Sequence, residues 1–144
     1  MVKVVKSNLL DCTEDIIVHQ VNCEGSMGGG VARQLALQYP DLEKNYNNFC
    51  SEYAYNYLQL KGEVFIYFTK KIIANIFSQE TNFDTDYEAL KQCLEFVKYF
   101  AKQNNKSVAI PYKIGCGIAN GDWDIVLDII LEVFNDYDIT LYKI

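Results

Sequence analysis

An α/β fold with a largely parallel or mixed sheet, covered by helices on both faces, is predicted from three observations. Short β-branched runs alternate with longer amphipathic stretches, a glycine-rich turn follows two of the strands, and no linker interrupts the 144 residues. With half of those residues hydrophobic, the chain suits one domain over residues 1–144 that buries a substantial core.

Val2 to Val5 reads as the first strand and Asp15 to Val21 (DIIVHQV) as the second, its β-branched bulk coming from Ile16, Ile17, Val18 and Val21. Asn22 ends that strand. Gly25, Gly28, Gly29 and Gly30 follow, able to take backbone angles closed to other residues, so that successive N–H groups can converge on an anion. From Val31 to Tyr39 the spacing of Ala32, Leu35, Ala36 and Tyr39 is helical, and Pro40 closes the run. The glycines therefore sit at a helix N-terminus, where unpaired N–H groups and the helix dipole favour negative charge.

Leu42 to Tyr57 is expected to be one helix, since Tyr46, Phe49, Tyr53 and Tyr57 recur three or four apart as core residues do. Glu63 to Thr69 and Lys71 to Phe77 read as two strands around a short turn at Lys70, and Thr81 to Asp86 as a polar loop. Tyr87 to Gln103 is an amphipathic helix with Leu90, Leu94 and Val97 on one face. Ser107 to Ile110 is a strand that Pro111 terminates, because proline cannot donate to a central ladder. A second glycine loop begins there. Asp122 is placed to cap a helix near Trp123 that covers Asp124 to Asn135, and Ile139 to Tyr142 ends the chain as a strand. In open α/β sheets ligands collect beyond the carboxyl ends of strands, so the two glycine loops are expected to converge.

Two common phosphate motifs fail against these loops. No Gly-Lys occurs anywhere, which excludes a Walker A loop, and the dinucleotide fingerprint needs a small residue where Arg33 stands. The net charge of −6 argues against broad affinity for a nucleic-acid backbone and leaves an anion site dependent on local N–H groups. Five cysteines, odd in number and without paired metal spacing, favour reduced thiols, so a structural zinc is not expected; no cofactor is expected either. No apolar run approaches a membrane span and the N-terminus lacks the features of a secretion signal, which leads to the expectation of a cytoplasmic monomer without membrane or nucleic-acid partners.

HQVNCEGSMGGGVARQLALQYP, from His19 to Pro40, resembles the first ligand loop and helix of the macro domains, which bind ADP-ribose, and most of all their yeast-type ADP-ribose 1''-phosphate phosphatase branch. IPYKIGCGIANGDWDIV, residues 110 to 126, resembles the second phosphate loop of the same family, in the style of the branch with the terminal ADP-ribose glycohydrolases. The resemblance runs from the SNLLD segment at Ser7 to the last strand and implies a three-layer α/β/α macro domain.

The resemblance also implies roles. Gly28, Gly29 and Gly30 would approach the distal ribose and Val31 would join the ligand contacts, while Ile114, Gly115, Cys116, Gly117, Ile118 and Ala119 would wrap the diphosphate. Asn8 stands where an aspartate commonly contacts adenine, followed by Leu9, and Tyr142 is the expected adenine cover, with Tyr112 in competition. His19, the only histidine, matches a phosphatase histidine three residues before Asn22. As an isolated residue it reads as a buried strand histidine; as a family residue it would move a proton to or from a water attacking a phosphate monoester. Asn22 would orient a ribose hydroxyl or the scissile oxygen.

Two departures bear on chemistry. The glycohydrolase lysine has Gln79 as its nearest counterpart, and an amide forms no Schiff-base type adduct. Their partner aspartate is replaced by Ala119 and Asn120. The implied function is a phosphatase on ADP-ribose 1''-phosphate with His19 and Asn22 as catalytic residues. The alternatives are a non-catalytic reader of free or protein-linked ADP-ribose, or a deacylase or ADP-ribosyl hydrolase at the same ribose.

Overall fold

The computed structural model describes residues 1–81 and 83–144, with backbone alone for residues 80 and 81. Six strands form one sheet: β1 (Val2–Lys6), β2 (Ile16–Val21), β3 (Val64–Phe68), β4 (Ile72–Phe77), β7 (Val108–Pro111) and β8 (Ile139–Lys143). Their order is β1-β8-β7-β2-β4-β3, parallel throughout except for the edge strand β3, which pairs antiparallel with β4. The mixed, largely parallel sheet is thus the predicted one.

Alternation along the central strands sorts the core into two halves. Val18, Ala74, Ile76 and Ile110 pack with Leu90, Leu94 and Val97 of α4 (Tyr87–Asn104) and Val126 and Ile130 of α5 (Trp123–Val133). On the opposite face Ile17, Val21, Ile73 and Phe77 pack with Leu35 of α1 (Gly30–Gln38), Leu42 and Tyr46 of α2 (Leu42–Glu52) and Leu60 of α3 (Tyr57–Leu60). Because both faces are covered, the strands are apolar on both sides and read as continuous runs.

The carboxyl ends of β2 and β7 part from each other. Registered pairs between them stop at Ile17 with Ala109, whereas β2 stays paired to β4 as far as Val21 with Phe77, and β7 to β8 as far as Pro111 with Tyr142. Two causes act together. The Tyr112 N–H donates to Tyr142 O at 2.8 Å, so alternation turns the Pro111 nitrogen toward β2, where proline has no hydrogen to give. The chain then leaves β2 toward α1 on one face and leaves β7 toward α5 on the other. This reversal is a topological switch point, the place where open α/β sheets open a crevice.

The expected helix from Leu42 to Tyr57 is two helices. Ala54 and Tyr55 have left-handed φ of 53° and 55°, which stops α2, and the Asn56 side chain then accepts from Leu58 N at 2.9 Å to start α3. The apolar spacing runs through the break because Tyr53 and Tyr57 both pack on the same core from separate helices. The expected polar loop from Thr81 to Asp86 lies in part outside the described residues, at Asn82. Around it β5 (Gln79–Thr81) and β6 (Asp84–Thr85) form a two-stranded ribbon, and the Asp86 side chain caps α4 by accepting from Ala89 N at 3.0 Å.

Ala54 is exposed, so its left-handed backbone is the main thing a substitution there can change. Ala54→Gly is expected to stabilise the protein by about 0.5–1 kcal/mol, as φ > 0 costs glycine little. A continuous helix through residue 54 requires the opposite sign, a loss of about 1 kcal/mol. Urea unfolding of the two proteins distinguishes these outcomes.

Candidate functional site

The first glycine loop follows β2 and is held from behind by α2. Asn22 uses its amide to shape the turn: Oδ1 accepts from the Tyr46 hydroxyl at 2.6 Å and from Glu24 N at 2.9 Å, while Nδ2 donates to Ser26 O at 3.0 Å. The same hydroxyl lies 2.8 Å from Asn22 O. Further on, Asn47 Nδ2 donates to Gly25 O at 3.0 Å, and Met27 N donates to Glu43 Oε2 at 2.9 Å. Tyr55, delivered by the left-handed break after α2, donates to Asn47 and packs where a Gly25 side chain would sit, 2.8 Å from an added Cβ. The break that the periodicity does not reveal therefore serves this loop. At its end Gly29 begins α1 without a side-chain cap, which leaves the first-turn N–H groups unclaimed by that residue.

The second loop, Tyr112 to Gly121, closes on itself. Gly121 N donates to Gly115 O at 2.7 Å, and a Cβ on Gly121 would fall 2.5 Å from that oxygen, so only glycine fits. A polar chain from the sheet supports it. Ser78 Oγ donates to Gln20 Oε1 at 3.0 Å, Gln20 Nε2 to Thr85 Oγ1 at 3.2 Å, and Thr85 Oγ1 to Gly115 O at 2.7 Å. The Asp122 side chain accepts from Asp124 N at 2.9 Å and caps α5, as its position predicts.

Between the loops, where β2 and β7 separate, lies a cleft of about 250 Å³. His19, Gly29, Gly30, Val31, Ile114, Gly115, Gly117, Ile118 and Ala119 all line it. Ile118 bridges the loops, its Cδ1 lying 3.5 Å from an ideal Cβ on Gly29. A second hollow continues from the first through Val31, Pro111, Tyr112 and Lys113, and is lined by Asn8, Leu9 and Tyr142. Asn8 caps a short 3-10 turn, Leu9–Asp11, by accepting from Leu10 N at 3.0 Å, and Tyr142 donates to Glu14 Oε1 at 2.6 Å. Tyr112 lines the same hollow and also lies against Trp123, with ring centroids 4.7 Å apart. A third hollow holds Asn22, Gly28, Gly29 and Ile118, with Gln79 and Phe83. Cys116 lines none of these three; its thiol turns to Ile114 O at 3.4 Å, and burial followed by the Asp122 charge pushes its pKa up, away from a reactive thiolate.

Gln20, Pro111 and Lys113 line the cleft between the loops without having been singled out as site residues from the sequence. Lys113, with a left-handed φ of 62°, and Lys143, 4.8 Å over the Tyr112 ring, set cations beside hollows in an otherwise acidic chain. Alternation on β2 could have found Gln20, which must face away from His19 and toward the second loop. No local pattern marks the lysines as neighbours.

His19 lies on the β2 face that also carries Ile17 and Val21, and it is 1% exposed. Its Nε2 is 2.5 Å from Asn75 Oδ1, and its Nδ1 has no protein partner among the described residues. Burial pushes its pKa down to about 4, with the Asn75 bond opposing the shift. The folded protein therefore binds this proton less readily than the unfolded chain does. The resulting stability is complete above the ordinary histidine pKa of 6.5 and is lost as pH falls toward 4. Between pH 7 and pH 5 this one group should remove about 2 kcal/mol of unfolding free energy. Urea titrations at the two pH values check this, and the slope should vanish in His19→Phe.

Comparison with known proteins bears on these loops directly. The family model of the macro domain matches residues 18–130, which include both. Over 56 residues the chain is 48% identical to the ADP-ribose 1''-phosphate phosphatase of Saccharomyces cerevisiae, a match covering 38% of this chain and 32% of that protein. Over 143 residues it is 27% identical to the ADP-ribose glycohydrolase OARD1 of Bos taurus, covering 97% and 90% respectively. Among solved structures, the macrodomain of Mycobacterium tuberculosis DarG superposes with a TM-score of 0.87 at 25% identity, covering 100% of this chain and 98% of that one. With the two glycine loops converging on one cleft and a family model spanning both, the chain belongs to the macro domain family.

Proposed function

We propose that the protein binds ADP-ribose and hydrolyses ADP-ribose 1''-phosphate. The observation that carries this reading is a lone buried histidine in a cleft walled by two glycine loops. The diphosphate lies against the N–H groups of the second loop and of the α1 N-terminus, with Lys113 adding positive charge. The adenosine end extends into the hollow of Asn8, Leu9 and Tyr142, and the distal ribose reaches His19 and the Asn22 turn. His19 orients a water that adds to phosphorus, the bond from phosphorus to the 1'' oxygen breaks, and inorganic phosphate and ADP-ribose leave. The relative from S. cerevisiae named for this activity supports the choice, as does Gln79, an amide unable to serve as the nucleophile of the lysine route.

A reader that binds ADP-ribose without changing it is the second reading. It is favoured by the Asn22 amide, which the loop itself engages at both of its ends, and by the low basicity of His19.

Phosphate release from ADP-ribose 1''-phosphate separates the two readings. The phosphatase reading expects turnover that falls about a hundredfold in His19→Ala, because the attacking water loses the group that orients it. In Asn22→Ala the same assay should show a raised KM as well, because the turn loses its bonds to Tyr46, Glu24 and Ser26. No turnover by the unmodified protein, with heat of ADP-ribose binding in calorimetry, leaves the reader. No heat at millimolar ADP-ribose removes both readings.

Gly121→Ala tests the second loop apart from any ligand-facing side chain. Its Cβ would strike Gly115 O, so ADP-ribose affinity should fall about tenfold or more while far-ultraviolet circular dichroism stays unchanged. Unaltered affinity would detach the second loop from the binding site.

A further inference from the structure

We propose that Asn75 fixes the tautomer of His19, so that His19 presents Nδ1 to the cleft as a permanent hydrogen-bond acceptor. The ligand atom it meets is then a donor, a ribose hydroxyl or an ordered water, and not a phosphate oxygen. The inference rests on the reading of this cleft as an ADP-ribose site, and it names the group that occupies one position in it.

The geometry is a chain of forced choices. Asn75, fully buried on β4 directly beside His19 in register, donates its amide nitrogen to Phe65 O at 2.9 Å and to Ile73 O at 3.3 Å. Carbonyl oxygens only accept, so the amide cannot be turned over, and the atom it shows His19 is Oδ1. Oδ1 also only accepts. The hydrogen of the 2.5 Å contact therefore belongs to His19 Nε2, and the neutral imidazole has a bare Nδ1. Burial holds the ring neutral at ordinary pH.

Nδ1 is the buried side-chain polar atom that lacks a protein partner among the described residues. Such an atom is costly unless something else satisfies it. Asn75 occupies the β4 flank of the ring, and His19, 1% exposed, lines the cleft that opens on the β7 flank with Pro111 and Val31; Nδ1 itself shows less than 1 Å² of surface, so a donor reaches it only as the wall of the cleft yields. A hydroxyl or water there completes the set of bonds. A phosphate oxygen at neutral pH would set a second lone pair against the first. Asn75 is thus a positioning residue that acts through His19 on which end of a ligand enters.

Because the chain has one histidine, a nitrogen-15 spectrum of the intact labelled protein contains a single imidazole. At pH 7 the expected spectrum has Nε2 protonated and Nδ1 far downfield as a bare nitrogen. A protonated Nδ1 overturns the inference. On saturation with ADP-ribose, Nδ1 should move upfield as it accepts a hydrogen bond while Nε2 stays in place. Full binding by calorimetry with Nδ1 unmoved also overturns it, and leaves the binding reading intact. Absence of binding removes that reading instead, and the tautomer of the free protein is still decided by its own spectrum. In Asn75→Asp the carboxylate should draw a second proton onto the ring at pH 7, turn Nδ1 into a donor and weaken ADP-ribose binding about tenfold. A folded Asn75→Asp protein with Nδ1 still bare overturns the role of Asn75; should it not fold, the spectra of the unsubstituted protein carry the decision.

Discussion

The parting of β2 from β7 is the constraint on which the rest of the molecule depends. A parallel ladder that ran to the ends of both strands would close the space that the cleft occupies. It stops at Ile17 and Ala109 because Pro111 has no N–H to give and because the two chains leave toward opposite helical layers. Both glycine loops start from this gap. Their convergence follows from where the strands end and needs no contact between the loops beyond that of Ile118 near Gly29.

Each loop is then stiffened from a different layer. The first is pinned by α2, through Glu43, Tyr46 and Asn47 and through Tyr55 beyond its end. The second is pinned from the sheet and the β5-β6 ribbon, through Ser78, Gln20 and Thr85. Neither set of supports is a candidate ligand contact as a whole, yet together they hold backbone N–H groups in place ahead of any ligand. Preorganisation of this sort lowers the ordering cost of binding. For the proposed anion site it means that a net charge of −6 is no obstacle, since fixed amide dipoles and two nearby lysines act locally where net charge acts at a distance.

His19 combines the two roles that a strand histidine can have. Its burial and its bond to Asn75 are those of a core residue, while its place at the end of the parted ladder makes it part of the cleft. The low basicity that burial imposes suits an orienting acceptor better than a strong base, which bears on how much of any hydrolysis it can drive.

The six strands of the main sheet, both glycine loops and the Asp122 cap were legible in the chain itself, while the residues of the cleft came from the resemblance to a family. Each depends on neighbours close in sequence: β-branched runs, glycine spacing, a cap next to its helix. The interruption after Glu52 was not, because Tyr53 and Tyr57 keep the helical period while packing on one core from two helices. Nor were Gln20, Lys113 or the partnership of His19 with Asn75, which lie 56 residues apart and meet only through the β2-β4 register. The sequence by itself determined that an α/β sheet would carry two glycine loops after strands, since periodicity and backbone freedom are local properties. Only the tertiary structure decided what braces the loops and which nitrogen of His19 is bare, because strand order and register bring together groups that no local pattern connects.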